Sequence, residues 1–351
     1  VTQRYWDAYL EQVELYSLGE NRRLLLQNGL TDLEQTVDLT ATFFHSSDEE
    51  VAGVEFQAFA GEMPVTLRGV AELQWAPRIA REQRAAHERE VEKEDGNPGY
   101  RILELAGEPA GRPAGERPEY FPIRFSKGRL DTGVTMGADL ASDPAQRAAI
   151  DRARDSGDLA TVWLADRPAS GEPRPDILLF APVYRFASSH VTLADRRRNL
   201  AGVVRGLIAL GPAIDDILRG IRAPRGLDIS FFDKDAGPDS VPVHVRSSLL
   251  RATPAPPRAR SALEAELHWS GEVSLGDKSW TMYVVPLPGG PVATQHSRAL
   301  IVLVAGLLLT LVAAQYVWRS GRYVIRLESV TTHLRESEEK FRMLGESAQD
   351  A

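Results

Sequence analysis

The segment Ala299 to Trp318, ALIVLVAGLLLTLVAAQYVW, constrains this chain more than any other. It carries no charge, its strongly polar side chains are Thr310 and Gln315, and Arg298 and Arg319 bound it. About 20 residues at a 1.5 Å rise reach roughly 30 Å, the thickness of a bilayer's hydrocarbon core. The expectation is one transmembrane helix over 299–318, in contact with membrane lipid, with Tyr316 and Trp318 at an interface. Arg319, Arg322 and Arg326 crowd the C-terminal flank, whereas 287–297 has no Lys or Arg. The positive-inside tendency then puts 319–351 in the cytoplasm and 1–298 outside it, as in a receptor of an inner or plasma membrane. A further span is expected just upstream of Val1, because VTQRYWDAYL is no signal peptide.

Charge separates the two sides. The whole chain has 41 basic and 49 acidic residues, and the tail from Arg319 holds 6 of each. The outer part therefore carries 35 basic and 43 acidic residues, the whole of the net −8. An acidic outer part argues against nucleic acid, which rewards clustered Lys and Arg. With no cysteine there are no disulfides or thiolate metal sites, so an exported domain must hold by packing, as in a bacterial periplasm.

Taken in order, residues 1–64 read as helical. Trp6, Tyr9, Leu10, Val13 and Tyr16, then Leu26, Leu30, Leu33 and Val37, recur at helical spacing, with Gly19 and Asn21 marking a kink or break. Such a helix suits a homodimer seam or packing on its own domain. Helix is expected to continue over 48–95, with Phe56, Phe59, Leu67, Val70 and Leu73 as its apolar positions. Pro77 should interrupt it, and the charged run after Pro77 reads as a solvated face. From 100 to 200 the pattern changes to strand, loop, strand, a helix capped by Asp143 and opened by Pro144 and stopped by Gly157, then two strands. Residues 201–290 repeat that theme in shorter form. The fold class is α+β: a long N-terminal helix and two modules with antiparallel sheets, 65–200 and 201–290. After the apolar segment, Leu327, Leu334 and Phe341 fall on a heptad, with Val330 and Leu344 near the second seam, which predicts a short coiled-coil linker.

LQWAPRI before a charged helix, then EYFPIRF, MGADLASDPAQRAAIDRARDSG, a strand and LLFAPVYR, resembles the CHASE domain. That is the extracytoplasmic sensory module of cytokinin receptor histidine kinases and of many bacterial sensor kinases and cyclases. The likeness covers about 65–290, with its core from Trp75 to Tyr184. SEEKFRMLGESAQDA resembles the entry to a cytoplasmic PAS domain. The resemblance implies two PAS-like modules, with a ligand in the membrane-distal one. It implies that Asp139 in GADLAS holds an adenine-like ring, that Thr161 lines the pocket, and that Phe121, Phe125, Met136 and Tyr184 form its walls. Ala160 and Thr161 stand where cytokinin receptors usually carry a bulkier aliphatic, so a planar heterocycle is implied without cytokinin being specified.

The residues on their own leave Asp139 open between ligand binding and capping backbone N–H groups. The aromatics at 120, 121, 125, 163, 184 and 186 fit core packing as well as a ligand cage. His45, His87, His190, His244, His268, His296 and His333 are scattered and pair at no metal-ligand spacing. No nucleophile elbow, P-loop or dinucleotide fingerprint occurs, so neither catalysis in this chain nor a cofactor is expected. The expected function is the sensing part of a receptor histidine kinase, binding a small molecule as a homodimer. A sensor for a nucleotide cyclase and a receptor for a periplasmic protein are the alternatives.

Overall fold

A computed structural model describes residues 2–47, 51–62, 69–95, 99–105, 111–128, 136–164, 176–219, 226–287 and 303–318. Val1–Gly290 forms one compact unit and Pro291–Ala351 another. The first unit opens with α1 (Thr2–His45) and α2 (Gly53–Glu62). There follow β1 (Val70–Pro77), β2 (Ile79–Ala80), α3 (Arg84–Asp95), β3 (Leu103–Glu104), β4 (Glu119–Tyr120), β5 (Phe125–Gly128) and β6 (Ala138–Asp139). Then come α4 (Pro144–Ser156), β7 (Ala160–Leu164), β8 (Asp176–Tyr184), α5 (Leu193–Asn199), β9 (Leu200–Ala209) and α6 (Leu210–Arg219). The unit closes with β10 (Leu227–Asp233), β11 (His244–Arg246), α7 (Arg260–Glu264), β12 (Trp269–Leu275) and β13 (Lys278–Pro286).

Two antiparallel sheets carry the unit, in keeping with the α+β expectation. The first has strand order β5-β1-β9-β8-β7 and the second β11-β10-β13-β12. Strand β9 lies inside the first sheet, so that sheet runs through residue 209, past the boundary expected at 200/201. In the first sheet α1 and α4 cover opposite faces. Gly206 of β9 lies against Val37 of α1, while its neighbour Arg205 reaches Gln146 of α4. Under α4, Phe121, Leu140, Ile150, Phe180 and Val203 form a fully buried core. Each such side chain contributes roughly 1.5–3 kcal/mol through area removed from water. In the second sheet, Phe232, Leu263, Tyr283 and Val285 pack together beneath α7.

The helix α4 forms where its caps predict. Asp143 accepts the Gln146 amide at 2.8 Å, Pro144 occupies the first turn, and Gly157 closes the helix at φ 87°. Gly19 does not break α1, which runs unbroken through it. Its missing side chain instead admits the Trp269 ring, which any Cβ would meet at about 2.3 Å. The helix expected over 48–95 is corrected: Val70–Pro77 is a strand, paired with β5 and β9. Its residues 70–74 are all buried, so both faces are covered and no alternation distinguishes it from a helix. Leu67 lies outside the described residues. The charged run becomes α3, whose exposed side chains flank buried His87 and Val91.

The transmembrane expectation is overturned. Among the described residues no helix is long and apolar enough to cross a membrane. Within Ala299–Trp318 the described helix covers 303–318, sixteen residues or about 24 Å, short of a hydrocarbon core. The heptad positions Leu327, Val330, Leu334, Phe341 and Leu344 lie outside the described residues.

Replacing Gly19 by alanine tests the packing of α1 on β12. Alanine is the better helix former by about 1 kcal/mol, so an open site would gain stability. Here Trp269 must move, and urea unfolding is expected to show a loss of roughly 1–3 kcal/mol.

Candidate functional site

Asp139 ends β6 and is wholly buried. Its Oδ1 accepts the amides of Phe121 at 2.7 Å and Ala141 at 3.1 Å. Its Oδ2 accepts the Arg117 guanidinium at 2.9 Å. Asp139 thus caps the 3-10 turn Leu140–Ser142 and ties it to the Phe121 segment. Arg117 also holds Glu104, at 2.7 and 2.8 Å. Burial raises the Asp139 pKa, and the two amides and Arg117 oppose that shift. Against its own burial, Glu104 is held below the ordinary carboxylate range by the Gly115 amide and Arg117.

The other expected residues divide into three groups. Phe121 and Tyr184 belong to the core under α4. The Tyr184 hydroxyl donates to the Arg154 carbonyl at 2.8 Å, its ring stacks on His190, and burial pushes its pKa up to about 12. Phe125 and Met136 line an open cleft of about 590 Å³ with Gly53, Val54, Gln57, Arg124 and Ser126. Thr161 stands apart from both, and its amide and hydroxyl donate to Asp277 at the turn of the β12–β13 hairpin. Of the aromatics weighed as core or cage, Tyr120 is buried and Phe186 exposed.

A second set of residues was not anticipated. Register places Ser126 of β5, Gln74 of β1, Arg205 of β9, Phe180 of β8 and Ala160 of β7 in one row across the first sheet. The half over β5, β1 and β9 is polar and the half over β8 and β7 apolar. Arg205 donates to Gln74 at 2.7 Å and to Gln146 of α4 at 2.8 Å. Gln74 donates to Glu72 at 2.6 Å, and the Ser126 hydroxyl donates to the same carboxylate. Glu72, Gln74, Gln146 and Arg205 are each at least nine-tenths buried. Their signal was present in AELQWAP and VVRGLIAL, two apolar runs interrupted by charged or amide side chains. Ser126 belongs both to this row and to the cleft wall. Among the described residues no group of three or more His, Asp or Glu could hold a metal ion.

A model of the CHASE domain matches residues 49–244, more than half of the chain. The chain belongs to the CHASE domain family. One relative is the hybrid signal transduction histidine kinase A of Dictyostelium discoideum, 23% identical over 228 residues. That alignment takes in 62% of this chain and 10% of the relative, so the chain spans about a tenth of that protein's length. Among solved structures, the ligand-binding domain of the Pseudomonas aeruginosa PAO1 amino-acid chemoreceptor PctC in complex with GABA is 14% identical. It covers 77% of this chain and 98% of its own, with a TM-score of 0.41. The periplasmic sensory domain of the Campylobacter jejuni chemoreceptor Tlp1 is 8% identical, covering 82% and 97%, with a TM-score of 0.42. Neither likeness is close enough to inform the chemistry of this CHASE domain.

Removing Arg117 tests how Asp139 is held. Arg117→Ala leaves two carboxylates without their cation, one of them wholly buried, and is expected to cost about 3 kcal/mol near neutral pH. The guanidinium stabilises only the ionised carboxylates. The Asp139 part of the deficit therefore begins to shrink above the ordinary carboxylate range, because burial raises that group, whereas the Glu104 part persists until pH falls below that range. Urea unfolding of parent and variant at about pH 7.5 and about pH 4 measures the difference.

Proposed function

We propose that this chain is the ligand-sensing part of a signalling receptor whose output is a histidine kinase, and that it binds a small molecule outside the cytoplasm. One observation carries the reading: an otherwise apolar sheet face holds a buried row of amide, carboxylate and guanidinium groups beneath α4. Burying such groups costs stability relative to well-packed apolar side chains, so a row of them is better explained by recognition than by cohesion. The two halves of the row match a molecule with a polar head over β1 and β9 and a flat apolar part over Phe180. Ser126 belongs both to the row and to the wall of the cleft lined by Phe125 and Met136. Asp139 and Phe121 frame the far side, and Tyr184 closes the apolar end. Thr161 serves this site from the neighbouring edge strand and not from the pocket wall.

The receptor works as a homodimer through the N-terminal third of α1. Tyr9, Val13 and Tyr16 are exposed there at i, i+4 and i+7, away from the buried stripe of Leu15, Leu26, Leu30 and Leu33. A nucleotide cyclase is the alternative output.

Thermal shift of the chain with a panel of small heterocycles and carboxylates tests the site. A ligand at 100 times its Kd stabilises the folded state by about 2.7 kcal/mol, a rise of several degrees. Arg205→Met is expected to keep the fold and abolish that rise. A panel that shifts nothing, or a shift that survives Arg205→Met, argues against recognition at this row.

A further inference from the structure

We infer that the tip of the β12–β13 hairpin is a latch that binds the second sheet to the edge of the first, so that a displacement of α4 or β7 is carried into β13. Thr161 belongs to β7, the edge strand of the first sheet. An edge strand leaves alternate N–H and C=O groups facing outward. At Thr161 both are taken. The amide donates to Asp277 Oδ1 at 2.8 Å, and the carbonyl accepts the Arg152 guanidinium of α4 at 2.7 Å. Arg152 and Asp277 then pair with each other at 3.0 Å, which closes a ring of strand, helix and hairpin. The Thr161 hydroxyl adds a second bond to the same carboxylate oxygen. Burial alone would raise the Asp277 pKa, but the Thr161 donors and Arg152 hold it below the ordinary range.

The tip is shaped for this position. Gly276 sits at φ 58°, where a Cβ would meet the Thr161 methyl at about 2.7 Å. On the far side the Gly276 amide donates to Glu34 of α1, and Gln27 of α1 exchanges two hydrogen bonds with Ser274, at 2.9 and 3.2 Å. Farther along the two strands, the rings of Trp163 and Trp280 stand 5.9 Å apart. The hairpin tip is thus held between α1 and the β7 edge by polar contacts of fixed geometry, and β13 runs directly from it. Use of the latch to report a ligand rests on the site proposed above, because α4 also supplies Gln146 to the buried row.

The test needs no ligand, so its failure and that of the proposed binding site are separable. Hydrogen–deuterium exchange is measured on the chain for the parent, Thr161→Val, Arg152→Ala, Asp277→Ala and the double variant Thr161→Val with Asp277→Ala. Each single change removes one or more charge-assisted bonds, and exchange across the latch is expected to rise about tenfold. The decisive segment is 278–286, which contains neither Thr161 nor Arg152 and should respond to both. The double variant should exchange no faster than the worse single one, because both sides of the same contact are gone. If Asp277→Ala fails to fold, Asp277→Asn keeps the shape and should show the same pattern at smaller size. Quenching of Trp163 and Trp280 by acrylamide should increase in parallel. Parental exchange over 278–286 in Thr161→Val and Arg152→Ala, or additive effects in the double variant, would overturn the latch.

Discussion

Packing on α1 is the constraint that the arrangement of both sheets depends on. Its 44 residues span about 66 Å, and its buried stripe meets one sheet and then the other. About two-fifths of the way along it receives Trp269 of β12 at Gly19, and near its end Phe44 stacks on Trp75 of β1 at 4.2 Å. A helix this long is not stable in water by propensity alone, so the sheets stabilise the helix as much as the helix aligns them. Gln27 and Glu34 lie between these anchors and fix the hairpin turn. Gln27 and Glu34 thus direct polar contacts of α1 to a place where the second sheet approaches β7.

Over the opposite face of the first sheet the balance differs. Under α4, apolar packing and buried polar groups share the sheet, and β9 supplies both Val203 to the core and Arg205 to the polar row. The β8–β7 half could be cut from any soluble core. The β5–β1–β9 half contains two ionisable groups joined through Gln74, with Gln146 reaching down from the helix. Asp139 and Arg117 form a charge pair whose carboxylate is buried and whose guanidinium is partly exposed, and its role differs. Both Asp139 oxygens are engaged by the chain's own donors, and they fix the turn that leads into α4. One set therefore positions the helix, and the other lies beneath it.

Much of this was legible in the residues. Asp143, Pro144 and Gly157 mark α4 because caps act locally and their chemistry shows in sequence. The two strands read after Gly157 appear as β7 and β8. What failed was set by distant partners. Val70–Pro77 is covered on both faces by elements far away in sequence, so its apolar spacing mimics a helix. Gly19 looks like a breaker unless Trp269, 250 residues later, is known to fill it. The apolar run before Arg319 suggested a span, yet its described helix is too short for one. Family resemblance pointed to Asp139 and Phe121, and the Phe121 backbone amide donates to the Asp139 carboxylate. It could not point to Arg205 and Gln74, whose proximity comes from strand register.

The ring of Thr161, Arg152 and Asp277 also bears on solubility. A strand with free outward amides and carbonyls is a template onto which another chain can zip, the first step toward ordered aggregates. Here a helix and a turn from the same chain occupy those groups with charged side chains, leaving an incoming strand nothing to pair with at that position. A contact that couples two parts of the molecule thereby also keeps separate molecules from joining at that edge.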